Sequence, residues 1–142
     1  MSAPLVLALD TSFGPVGVAV ATASGEVLAS GRVDDAAGRQ TEVLPTLVDD
    51  VFRGAGLRIG VVQRVVVTVG PGAFTGIRIG LAFAKGIKVA TGAIVLGVSS
   101  LECIAYQALA ATRDGSVAAI IDAKRGEVYA YAIDRAGQCW VA

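Results

Sequence analysis

Residues 67–86 read VTVGPGAFTGIRIGLAFAKG. An apolar run enters a loop of Gly70, Pro71 and Gly72 and passes straight into a helix, so the stretch predicts a strand–loop–helix unit. Glycines in such a loop let backbone come close to phosphate, and the amides of a helix N-terminus attract an anion. No Lys-Ser or Lys-Thr follows the glycines, however, so this is not a Walker loop. Further on, Gly76, Gly80 and Ala84 recur every four residues and flatten one helix face, allowing another backbone to lie against it. Arg78, Lys85 and Lys88 form the polar stripe, while Ile77, Ile79, Leu81, Phe83, Ile87 and Val89 spread over the rest. A helix apolar on so many sides predicts a second packing surface beyond one sheet face. The competing expectation is that a neighbouring helix of the same domain supplies that surface.

Upstream, LVLALD (5–10), VGVAVAT (16–22) and EVLASGRV (26–33) are short β-rich runs separated by turn residues, and predict an antiparallel meander. TEVLPTLVDDVFRGAG follows, with Leu44, Leu47, Val48, Val51 and Phe52 at helical spacing, Pro45 in the first turn and a stop at Gly54. RVVVTVG is a fully apolar strand, the helix after it ends near Gly92, and AIVLGV is the next strand. Ser99 and Glu102 form a capping box for a third helix through about Ala111. The order βββαβαβα predicts an α/β mixed sheet whose later strands are parallel, the order of an RNase H-like half domain. Sliding the chain by 112 residues lays Asp10 on Asp122, Gly14 on Gly126, Val16 on Val128 and Gly25 on Gly137. The sequence thus divides into a first domain, 1–112, and the opening strands of a truncated second copy, 113–142.

A chain of 142 residues holds one ordinary domain and a fragment. It is 54% hydrophobic and 17% charged, with a mean hydropathy of +0.67, which predicts apolar surface that meets a partner or a further part of the fold. No run is long enough to span a bilayer, and the N-terminus lacks a basic segment before Asp10, so a cytoplasmic protein is expected. Cys103 and Cys139 have no metal or disulfide spacing and are expected as small core residues. Twelve basic residues balance twelve acidic ones without a like-charged block, which removes the electrostatic footprint of an independent nucleic-acid binder. There is no histidine, no Cys-x-x-Cys and no carboxylate cluster at ligand spacing, so hydrolase and metalloenzyme chemistry has little support.

Two RNase H-like halves facing each other are the architecture of the actin, Hsp70 and acetate kinase superfamily, whose first-strand turn, usually Asp-x-Gly-Thr, approaches nucleotide phosphates. Here the turn is Asp10-Thr11-Ser12-Phe13-Gly14: the carboxylate and hydroxyls are present, but the glycine two residues after Asp10 is not. Asp10, Thr11, Ser12, Gly70 and Gly72 are therefore candidates for a vestigial nucleotide site, and the bland alternative is that Asp10 and Thr11 tie down a turn. Asp122, Lys124, Arg125, Glu127 and Tyr129 form a second polar group on the hairpin DAKRGEVYAY, where a solvated turn would use the same residues.

The opening LALDTS, the block GPGAFTGIRIGLAFAKG, GVSSLE and DAKRGEVY together resemble the TsaB (YeaZ) family. That family is the non-catalytic partner of TsaD in threonylcarbamoylation of adenosine 37 of tRNA (t6A biosynthesis). The resemblance implies a scaffold or activator with no catalytic residue and no metal, paired with TsaD through its first two helices, here about 41–53 and 75–91. The implied interface residues are Leu44, Leu47, Val48, Val51, Gly76, Ile77, Gly80, Leu81 and Ala84. It further implies TsaE joining through the complex, tRNA contacted indirectly, a homodimer when alone, and no cofactor bound alone, with ATP or ADP held only within the complex. Family members often carry a histidine where this chain has Arg39-Gln40, and they extend well beyond residue 142. A small phosphotransferase of the same superfamily is the alternative function, and it would need nucleotide between two complete halves.

Overall fold

The computed structural model describes residues 3–142. Strands β1 (Leu5–Asp10), β2 (Val16–Thr22) and β3 (Val27–Val33) form the expected antiparallel meander. Helix α1 (Gln40–Gly54) follows, then a 3-10 turn (Ile59–Val61), β4 (Val62–Thr68), α2 (Phe74–Thr91), β5 (Ile94–Val98) and α3 (Ser100–Ala111). The sheet order is β3-β2-β1-β4-β5, with β4 parallel to both β1 and β5. β4 lies between two parallel neighbours, with Val65 and Val67 facing the core and Val66 on the opposite face. The α1 helix begins one residue earlier than expected, so Pro45 sits in its second turn, where the chain is exposed.

Alternation of side chains across the strands makes one face the core. Leu7, Leu9, Val16, Val18, Val20, Val65 and Val67 point toward α1 and α2 and are at most 3% exposed. From the helices come Leu44, Val48, Val51, Phe52, Ala84 and Ile87. Gly31 on the edge strand is needed there: a β-carbon would stand 2.7 Å from Leu47 Cδ1 and 3.1 Å from Val51 Cγ2. Gly92 ends α2 in the left-handed region, φ 77°, its N–H donating to the Lys88 carbonyl.

The chain then builds a three-stranded antiparallel sheet from β6 (Ser116–Lys124), β7 (Glu127–Asp134) and β8 (Cys139–Val141). Slid by 112 residues, β1, β2 and β3 fall on these strands. The turns differ: five residues, 11–15, join β1 to β2, whereas two, Arg125 and Gly126, join β6 to β7. Helix α3 packs Leu101 and Ala105 against Ala119, Tyr131 and Ile133, forming a second small core. The opposite face of β6–β8 is left open, with Ile120, Val128 and Trp140 each more than half exposed. The five-stranded sheet also has a face that no described helix covers. It carries Ala8, Asp10, Gly17, Ala19, Val66, Thr68 and Val98 and holds a groove of about 340 Å³. These open faces are where the chain's high apolar content goes.

Candidate functional site

The C-terminal ends of β1 and β4 bring the candidate residues of the first-strand turn together. Asp10 Oδ1 accepts from the Ser12 N–H at 3.0 Å, the Ser12 hydroxyl at 2.5 Å and the Thr68 hydroxyl at 2.8 Å. Thr11 turns the other way and donates from Oγ1 to the Gly76 carbonyl at 2.6 Å, tying β1 to the first turn of α2. Thr11 and Ser12 are both fully buried. The Ala73 N–H, at the start of α2, donates to the Ser12 carbonyl at 2.7 Å. Gly72 lies so close that a β-carbon on it would overlap that same carbonyl oxygen. Gly70, at φ 109°, accepts on its carbonyl from the Ser100 N–H at 3.0 Å, which joins the loop to α3. Thr68 belongs to this cluster and was missed in the sequence. It lies 58 residues from Asp10, inside a run that reads as apolar strand.

A group of the kind the superfamily carries, a nucleotide phosphate, does not fit this turn as it stands. The backbone N–H groups of Ser12 and Ala73 that could face a phosphate are bonded within the chain, and the loop at Gly72 rests directly on the Ser12 carbonyl. No group of three or more His, Cys, Asp and Glu side chains placed to hold a metal ion occurs among the described residues.

The polar hairpin is a solvated turn. Asp122 accepts from the Lys124 N–H at 2.7 Å and faces the Lys124 ammonium at 3.4 Å. Its carboxyl is held below the ordinary value first by the backbone N–H and then by the lysine charge. Arg125 and Gly126, at φ 56° and 80°, are the two central residues of the tight turn, and Lys124, which pairs with Glu127 across it, is also left-handed at φ 68°. Arg125 and Glu127 are exposed. A cleft of about 390 Å³ separates Asp122, Lys124 and Tyr129 from Phe13, Gly72 and Ala73.

The expected interface residues need correction. Leu44, Val48, Val51, Gly76, Gly80 and Ala84 all face inward and are buried. A β-carbon at Gly76 would overlap the Thr11 carbonyl oxygen, and one at Gly80 the Thr11 hydroxyl, with Val67 Cγ2 at 3.3 Å. The surface that comes close to the flattened face of α2 is thus the end of β1 in its own domain. Leu47, Ile77 and Leu81 are half-buried; Leu47 and Leu81 pack on the same core, and Ile77 lies against Gly70. What α2 presents outward is Phe74 (73% exposed), Arg78, Ala82, Lys85 and Val89 (88% exposed). The Arg78 guanidinium stacks over the Phe74 ring at 5.1 Å. The cysteines also depart from expectation, since Cys103 and Cys139 are both exposed. Cys103 borders the groove on the uncovered sheet face. Its thiol is pushed above the ordinary value of 9.0 by desolvation first, then by the Asp10 and Glu102 carboxylates.

Residues 34–141 match the family model of TsaD, described as tRNA N6-adenosine threonylcarbamoyltransferase. The TsaB protein of Haemophilus influenzae, named for tRNA threonylcarbamoyladenosine biosynthesis, is 30% identical over 125 residues, covering 87% of this chain and 51% of its own length. The solved structure of YeaZ from Pseudomonas aeruginosa superposes with a TM-score of 0.85 at 32% identity, over 98% of this chain and 64% of that one. The chain belongs to the TsaB (YeaZ) family. It spans about half the length of the curated TsaB relative from Haemophilus. A more distant likeness, to a putative N-acetylglucosamine kinase from Chromobacterium violaceum at TM-score 0.53 and 14% identity, shows the fold alone. No described helix is long and apolar enough to cross a membrane.

Proposed function

We propose that this chain serves t6A biosynthesis as a non-catalytic subunit that pairs with TsaD through the outward side of α1 and α2. The observation that carries this reading is the row Phe74, Arg78, Ala82, Lys85 and Val89. It stays exposed after α2 has buried its small-residue face in its own domain. Large apolar side chains fixed on a rigid helix suit a helix-on-helix contact, with Arg78 and Lys85 supplying a polar edge. The chain has no histidine, and the polar cluster at Asp10, Ser12 and Thr68 is hydrogen-bonded internally, so transfer chemistry belongs to the partner. TsaE joins through the assembled complex, tRNA is reached indirectly, and without TsaD the same apolar row draws two copies of the chain together. The phosphotransferase alternative has only the kinase-like fold in its favour.

Reconstitution tests the reading. TsaD and TsaE of the same organism would be supplied with threonylcarbamoyl adenylate and tRNA, with and without this chain. The chain alone should modify no tRNA, and adding it to TsaD should raise the rate. Modification by the chain alone, or a TsaD rate indifferent to it, would contradict the proposal.

A further inference from the structure

We infer that the turn Asp10–Ser12 is a closed latch whose internal hydrogen bonds stand where a nucleotide phosphate would be held, so that this turn excludes nucleotide. A phosphate-binding turn must offer unpaired N–H groups and space for oxygen atoms. Here the Ser12 N–H, the Ser12 hydroxyl and the Thr68 hydroxyl all converge on one carboxylate oxygen of Asp10. That oxygen is an internal anion satisfied by the donors a phosphate would otherwise take. On the other side, the Ala73 N–H at the start of α2 is taken by the Ser12 carbonyl. Gly72 packs directly on that carbonyl, since even a β-carbon there would overlap it. None of the three hydroxyls at this turn, on Thr11, Ser12 and Thr68, is left without a partner. The carboxylate thus fastens β1 and β4 to each other, and the Ser12 carbonyl fastens both to α2.

Hydrogen exchange at the Ser12 and Ala73 amides, measured with and without millimolar magnesium ATP or magnesium tripolyphosphate, tests the latch alongside calorimetric titration. The native chain should give no saturable heat, and neither ligand should change exchange at these two amides. Asp10→Ala should speed exchange at both by about tenfold or more, the size expected when a charge-assisted hydrogen bond is lost. Thr68→Val removes one donor at nearly constant shape and should speed Ser12 exchange by a smaller factor, which keeps the test decisive should Asp10→Ala not fold. Saturable magnesium ATP binding that slows exchange at Ser12 and Ala73 in the native chain would overturn the inference. So would Ser12 exchange unchanged in Thr68→Val.

Discussion

Gly76 and Gly86 sit ten residues apart on α2 and answer to opposite constraints. Gly76 has no room for a β-carbon because the Thr11 carbonyl occupies the place, whereas nothing lies within 4 Å of one built at Gly86. Gly76→Ala and Gly80→Leu should therefore destabilise the fold by about 1–3 kcal/mol or more, since the crowded atoms at Gly76 are backbone. Gly86→Ala should stabilise it by about 0.5–1 kcal/mol through helix propensity. Thermal melting of the three variants checks this, and a Gly80→Leu protein that melts like the native one would show that the face is not internal. At Cys103 the sign of the pH dependence follows from the raised thiol value. The folded state holds that proton more tightly than the unfolded chain, so the stability it contributes is complete below the unfolded thiol's titration and is lost as pH rises through it toward the folded value. Melting scanned from neutral pH to above 9.0 should show a decline that Cys103→Ala reduces, and iodoacetamide should react with Cys103 more slowly than with an unhindered thiol at neutral pH.

Helix α3 joins the two sheets and is fastened at both ends. At its start Ser99 Oγ accepts from the Leu101 N–H at 3.2 Å, and Glu102 Oε2 accepts from the Ser99 N–H at 3.3 Å. At its end, where no glycine cap is present, the Arg135 guanidinium donates to the carbonyls of Leu109, Thr112 and Asp114. Ser99→Ala should lower stability by about 0.5–2 kcal/mol. Arg135→Met should cost about 1 kcal/mol, because the guanidinium is exposed and partly screened by solvent. Denaturant melts measure both, and an unchanged midpoint in either would deny that cap a role. The first cap was legible in the sequence because all its atoms lie within four residues. The second was not, because Arg135 reaches α3 from beyond β7. Distance along the chain likewise explains the misreading of α2. A stripe of Gly76, Gly80 and Ala84 announces that something comes close, but its neighbour, Thr11, lies 65 residues from Gly76 and carries no mark distinguishing it from a partner protein's backbone. The strands were legible wherever burial on one face imposed alternation, as in Leu7 and Leu9, or β-branched residues ran together, as in Val65, Val66 and Val67 of β4.

At the scale of the whole molecule, two sheets of unequal size share α3, and each leaves one apolar face open among the described residues. That is why Cys103, expected in a core, lies at an exposed groove: its position is internal to the sequence pattern but borders an uncovered sheet. The outward row of α2 is a third apolar surface, distinct from these because it sits on a helix whose inner side is already fully packed. This row, and not the small-residue stripe, is the surface proposed to meet TsaD. Sedimentation velocity of the chain with TsaD of the same organism tests it most directly, using a Phe74→Glu/Val89→Glu variant and, as a control on the open face of β6, Ile120→Glu. The α2 variant should keep its melting temperature and lose at least about tenfold in affinity, as expected when central apolar anchors are replaced by charge, while Ile120→Glu should bind as the native chain does. Native affinity in the α2 variant, or loss of binding in Ile120→Glu alone, would contradict it.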